Sequence, residues 1–243
     1  VPMVALGEIL DTFQMNVELD EERLAETVGR LQKMQHSSGG WGYWSGASCP
    51  YPWLSAYVLW GLSESGKRGY DVDQDVMDRG AYFLERVLRD EKWCQDVPQW
   101  WRSDVGLASK AYILWVLATM DRAMPSYHDH LYDRREDLPS FSRLLLAHAI
   151  HMAGGDGDQV DELMRDALNH VKQTPSSAHL VENLGDGYLY IMHSEVRSTA
   201  MALTVLLDVD PDHVLVSKMA RWLMDARRED GTWGSTQNNA WAL

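Results

Sequence analysis

Cysteine is scarce in this chain of 243 residues: Cys49 and Cys94 are the only two. They form neither a Cys-x-x-Cys pair nor a disulfide framework, so unpaired structural thiols are the expectation, with a single bridge open in an oxidising compartment. Basic charge is also in deficit, with 22 Lys and Arg against 36 Asp and Glu and a formal charge of −14. Nucleic-acid binders need a basic face to displace counterions, so DNA, RNA and anionic membranes are excluded as partners. No apolar run approaches the roughly 20 residues of a membrane span, and no signal peptide opens the sequence. Phenylalanine is rare, at three residues.

Tryptophan replaces it, with eleven residues, and a hydrophobic content of 45% is enough for a sizeable core. Each buried aromatic removes roughly 150–250 Å² from water, so most of these indoles belong in the interior. The stretch Leu31–Gly42 (LQKMQHSSGGWG) returns as Leu223–Gly234 (LMDARREDGTWG), with Leu, Gly, Trp and Gly at the same places. In each, an apolar helix end runs into a polar break, a glycine turn and a tryptophan that folds back. Glycine permits positive φ beside a helix end, and the tryptophan plugs the seam between successive helix pairs.

Apolar periodicity predicts helices at 2–16, 20–35, 53–62, 73–88, 105–120, 138–152, 156–172, 196–207, 211–227 and from 239 onward. Loops rich in Trp and charge at 91–104 and in polar residues at 121–137 separate them. Tyr188–Met192 reads as a short strand or hairpin arm after Gly185-Asp-Gly187. Four helices begin similarly, at Ser55, Ser109, Ser142 and Ser198, and alternate with amphipathic ones. Such an irregular repeat points to an all-α fold, an α/α toroid of concentric inner and outer helices forming one domain over 1–243. An open helical solenoid is the other arrangement. Apolar patterns at Val1 and Leu243 give the expectation of a piece cut from a longer protein.

The run from Ser198 through Trp233-Gly-Ser-Thr-Gln-Asn-Asn-Ala240 resembles the thioester-bearing domain of alpha-2-macroglobulin-like proteins, especially the large bacterial ones. Gly39, Gly40, Trp41 and Gly42, followed by Tyr51-Pro-Trp-Leu-Ser-Ala-Tyr57, look like that domain's earlier repeat. Gly231, Trp233, Ser235, Thr236 and Gln237 match its later turn and helix start, with Asn238 where Asp is usual. The resemblance covers nearly the whole chain. It implies a non-enzymatic scaffold within a broad-range endopeptidase inhibitor that traps proteases, located in the periplasm or cell envelope, with proteases and neighbouring domains of its own chain as partners and no cofactor. The family's chemistry is a thioester between Cys and Gln of a Cys-x-Glu-Gln motif, which this sequence lacks, so no catalytic residue carries over. By resemblance that motif precedes Val1.

Enzymatic readings of the same toroid give the alternatives. Leu31, Gln35, Gly39 and Trp41 resemble the repeat of triterpene cyclases, and Asp208-Val-Asp-Pro-Asp212 an acid motif in which clustered carboxylates raise one pKa. Pro211 and Asp212 read equally as the first turn of a helix. His148 and His151, at i and i+3, with His128 and His130, have the spacing of metal ligands but no metalloprotease carboxylate. Gln99–Arg102 offers a sugar-stacking platform, with Asp104 and Glu182 as acid and base.

Overall fold

Helices built on the predicted apolar stripes carry the architecture. The computed structural model describes residues 21–44, 46–90, 93–94 and 97–242. The helix expected at 2–16 lies outside them. In chain order the helices are α1 (Glu21–Lys33), α2 (Pro52–Lys67), α3 (Gln74–Arg89), α4 (Asp104–Ala118), α5 (Pro125–Tyr132), α6 (Ser140–Met152), α7 (Gly157–Leu168), α8 (Glu195–Val209), α9 (Leu215–Asp225) and α10 (Thr236–Ala242). Strands β1 (Val171–Gln173) and β2 (Ala178–Leu180) form an antiparallel hairpin with Val171 opposite Leu180 and Gln173 opposite Ala178. The chain divides into two compact units, Val1–Gln99 and Trp100–Ala242.

In the second unit two kinds of helix alternate. Thirteen of the fifteen residues of α4 are buried, so it has no solvent face. In α9 only Leu215, Met219 and Leu223 are buried, a stripe of one residue per turn on an otherwise wet helix. Helices α4, α6, α8 and α10 pack in series, α4 on α6, α6 on α8 and α8 on α10, while α7 lies on α6 and α9 on α8. In the first unit α2 packs against both α1 and α3.

Local chemistry sets the helix ends. Asp73 and Asp156 cap α3 and α7 by accepting from the backbone N–H two residues on, at 2.8 and 2.9 Å. Ser194 caps α8 by accepting from Arg197 N at 3.1 Å.

Four expectations change. The polar loop at 121–137 contains α5, which starts at Pro125 and buries His128 and Leu131. Tyr188–Met192 is not a strand: Asp186–Ile191 is a 3₁₀ helix. The helix expected to begin at Pro211 begins at Leu215, and the imidazole of His213 accepts from Leu215 N at 3.2 Å. Finally, the cysteines are not free: Cys49 and Cys94 are joined, with Cα atoms 5.9 Å apart, tying the segment before α2 to the segment after α3.

Candidate functional site

The two glycine–tryptophan turns are built by matching hydrogen bonds. At the end of α1, Trp41 Nε1 donates to Leu31 O at 2.8 Å; at the end of α9, Trp233 Nε1 donates to Leu223 O at 2.7 Å. Each indole thereby satisfies a carbonyl of a last helical turn that lacks an intrahelical partner. Gly39 N donates to His36 O at 2.8 Å and His36 N to Gly40 O at 2.8 Å. Gly231 N and Arg228 N repeat the pattern, donating to Arg228 O at 2.9 Å and Thr232 O at 2.8 Å. Even the reinforcing side chain recurs: Gln35 Nε2 donates to Gly39 O, and Arg227 Nε to Gly231 O, both at 2.8 Å.

The next helix closes each turn. Trp41 N donates to Ser55 Oγ on α2 at 2.8 Å, and Trp233 N to Asn239 Oδ1 on α10 at 2.7 Å. Gly39 (φ +98°) and Gly231 (φ +80°) both occupy the left-handed region that favours glycine. At Gly39 a Cβ would lie 2.2 Å from Arg79 O on α3. Trp41 is 1% exposed and Trp233 7%. These are packing seams made of main-chain bonds.

Past the second turn, Ser235–Asn238 and Met192–Ser194 line a cleft of about 530 Å³. Asn238 spans it, accepting from Ser194 Oγ at 2.6 Å and donating through Nδ2 to Trp233 O at 2.8 Å. An aspartate, usual here in the resembled family, has no N–H for the second bond. Gln237 is buried, and its Oε1 finds no hydrogen-bond partner among the described residues. Met192 holds φ +57°, and Leu189 and Tyr190 beside it are exposed. His193 stacks on Phe141 with centroids 5.6 Å apart, and its Nδ1 lies 3.3 Å from Ser198 Oγ. Burial, then the nearby Arg197 charge, pushes the His193 pKa down to about 4, so its ring is neutral at pH 7. The Arg197 guanidinium donates from Nη1 to Ile191 O at 2.8 Å and lies over the rings of Tyr112 and Trp241. Nothing in the sequence marked His193; its role comes from the 3₁₀ segment that delivers it.

The other candidates take structural places. Trp101 is fully buried, with Lys110 Nζ 5.2 Å from its ring centre, so of the Gln99–Arg102 platform only the half-buried Trp100 has a ring with any exposed surface. Asp104 and Glu182 do share a neighbourhood: with burial, both hold Tyr188 up at about 12. Glu182 is engaged at the start of α6, where it accepts from Ser140 N and Phe141 N, which makes it a helix cap from outside the helix. His148 is sandwiched, accepting from Trp115 Nε1 at 3.1 Å and meeting Asp208 Oδ2 at 2.9 Å. The indole N–H fixes the imidazole proton on Nε2, and burial keeps the ring neutral. Asp208 is thus a histidine partner rather than an acid, and His151 Nε2 stands 4.0 Å from it. His128 is buried in α5 and His130 exposed. Among the described residues no group of three His, Cys, Asp or Glu is placed to hold a metal, nor is any helix long and apolar enough to cross a membrane.

The repeated helix pairs and their tryptophan seams define an all-helical repeat region. That region is alpha-2-macroglobulin-like. No family model matches the chain. Over 95% of its length it is 29% identical to alpha-2-macroglobulin of Escherichia coli, and over 89% it is 24% identical to the alpha-2-macroglobulin homolog of Nostoc. The trypsin-activated alpha-2-macroglobulin of Escherichia coli superposes on the whole chain with a TM-score of 0.77 and 25% identity. The chain spans 14% of the first relative, 11% of the second and 16% of the solved chain.

Proposed function

We propose that this chain is the toroidal scaffold region of a bacterial alpha-2-macroglobulin-like protease trap and performs no catalysis itself. The observation that carries this is the superposition, over the whole chain, on an alpha-2-macroglobulin described as trypsin-activated. The two tryptophan seams support it, because they stiffen helix ends without presenting a reactive group. Nine of the residues singled out in the sequence (Gly39, Gly40, Trp41, Gly42, Gly231, Trp233, Ser235, Thr236 and Gln237) serve this scaffold as its joints. In this reading the protein bearing the scaffold meets proteases, and neighbouring domains of the same chain surround it. The Cys49–Cys94 disulfide fits an oxidising, extracytoplasmic compartment.

Covalent trapping requires a Cys-x-Glu-Gln motif outside this sequence. The test is incubation of the full-length protein with trypsin, followed by denaturing electrophoresis and assay of the protease on large and small substrates. A trap leaves trypsin active on a small peptide and blocked on a large protein, with an SDS-resistant adduct where the thioester is present. Trypsin that stays equally active on both substrates and forms no adduct overturns the proposal.

A further inference from the structure

We infer that the cleft between Met192–Ser194 and the start of α10 is a binding site for the main-chain amide of an extended polypeptide, with Gln237 as its anchor. The cleft's own chemistry points to this ligand, independent of protease trapping. Gln237 lines the cleft at 9% exposure, and its Oε1 has no hydrogen-bond partner among the described residues. A buried polar atom left unpaired costs about 1–3 kcal/mol, which an incoming donor recovers. The neighbouring amide groups are committed, since Asn238 spends its Oδ1 on Ser194 and its Nδ2 on Trp233 O. The carboxamide of Gln237 combines an acceptor with a donor, and the group that answers both is another amide.

Charge and shape narrow the ligand further. The lining residues carry no formal charge, and His193 is neutral at pH 7. Arg197, near His193, is 1% exposed and turned to Ile191 O and two aromatic rings. An ionic ligand therefore finds no counter-charge at the walls. The volume of about 530 Å³ falls within the 300–1,000 Å³ typical of ligand sites. Met192, which lines the cleft at 38% exposure, and the exposed Leu189 and Tyr190 that precede it in the chain supply apolar surface for the side chains of a bound segment. A strand-like peptide presents this alternation of amide edge and side chain.

The test uses the isotopically labelled 243-residue chain and the neutral probe N-acetyl-alanyl-alanine amide, followed by NMR. Saturable movement of the Gln237 side-chain N–H₂ pair and the His193 ring is expected, with a Kd of about a few millimolar or tighter. Sodium acetate and methylammonium chloride should leave both signals in place. Gln237→Leu should weaken binding at least about tenfold, equivalent to about 1.4 kcal/mol, with the circular dichroism unchanged and the melting temperature no lower than that of the wild-type chain. A ligand-side variant guards against misfolding of that mutant: the same peptide N-methylated at its amides should bind at least about tenfold more weakly to the wild-type chain. Equal binding of the N-methylated peptide, equal shifts with acetate, or shifts that never saturate would overturn the inference.

Discussion

At the residue scale, two glycines separate backbone strain from crowding. Gly46 has φ +78° with open space where a Cβ would go, whereas Gly39 has φ +98° and Arg79 O 2.2 Å from that point. Gly46→Ala should cost about 1 kcal/mol, the penalty of a left-handed L-residue. Gly39→Ala should cost several-fold more, because main chain of α3 must also move; equal denaturation midpoints for the two variants would contradict this. The indoles allow a second comparison. Phenylalanine at Trp233 keeps most of the apolar area but removes the indole donor to Leu223 O, a loss of about 1–3 kcal/mol by urea unfolding, whereas phenylalanine at Trp41 should cost less, because Leu31 O still accepts from Met34 N at 3.3 Å. Asn238→Asp should lower stability by about 1 kcal/mol at pH 7, since the Trp233 carbonyl loses its donor.

At the scale of elements, the disulfide has the largest single effect. Cys49 and Cys94 lie 45 positions apart and enclose α2 and α3. Loop-closure entropy assigns such a bridge about 4 kcal/mol. Reduction, or paired Cys→Ser substitution, should therefore lower the melting temperature of the first unit; a melting curve insensitive to dithiothreitol would refute it. The pairing was not legible in the sequence, because two cysteines without a spacing motif carry no geometric information. Long helices were legible, since α2, α3, α4, α6 and α8 bury stripes or whole surfaces that recur with helical period. α5 escaped because its eight residues bury only His128 and Leu131, too few turns for a period to register. Tyr188–Met192, following Gly185-Asp-Gly187, reads in sequence as a short strand or hairpin arm. Its buried or half-buried positions, Tyr188 and Ile191, are three apart, which is the repeat of a 3₁₀ helix. The repeat turns could be matched by sequence alone, yet the partners that close them, Ser55 and Asn239, sit at different distances from their tryptophans. Only folding reveals them as equivalents.

For the whole molecule, the buried His128 and His148 and the half-buried His193 set the response to acid. Burial lowers the pKa values of His128, His148 and His193, the last from 6.5 to about 4. A histidine whose folded pKa lies below its unfolded value binds fewer protons when folded, so its contribution is present above the unfolded pKa and lost as pH falls toward the folded one. Stability should decline between pH 6.5 and about 4, the window set by His193. His193→Gln should flatten that decline, and an unchanged slope in a pH series of melting temperatures would show that other groups govern it.

The bridge between Cys49 and Cys94 also changes what a cut in the chain means. A protease that severs one peptide bond anywhere between these residues, including the exposed turn from Arg68 to Asp73 that joins α2 to α3, produces a nick and not a separation. The two pieces stay in one covalent body, migrating as a single species until reductant is added. The covalent loop thus gives α2 and α3 a tolerance for a single cut that an unbridged chain lacks.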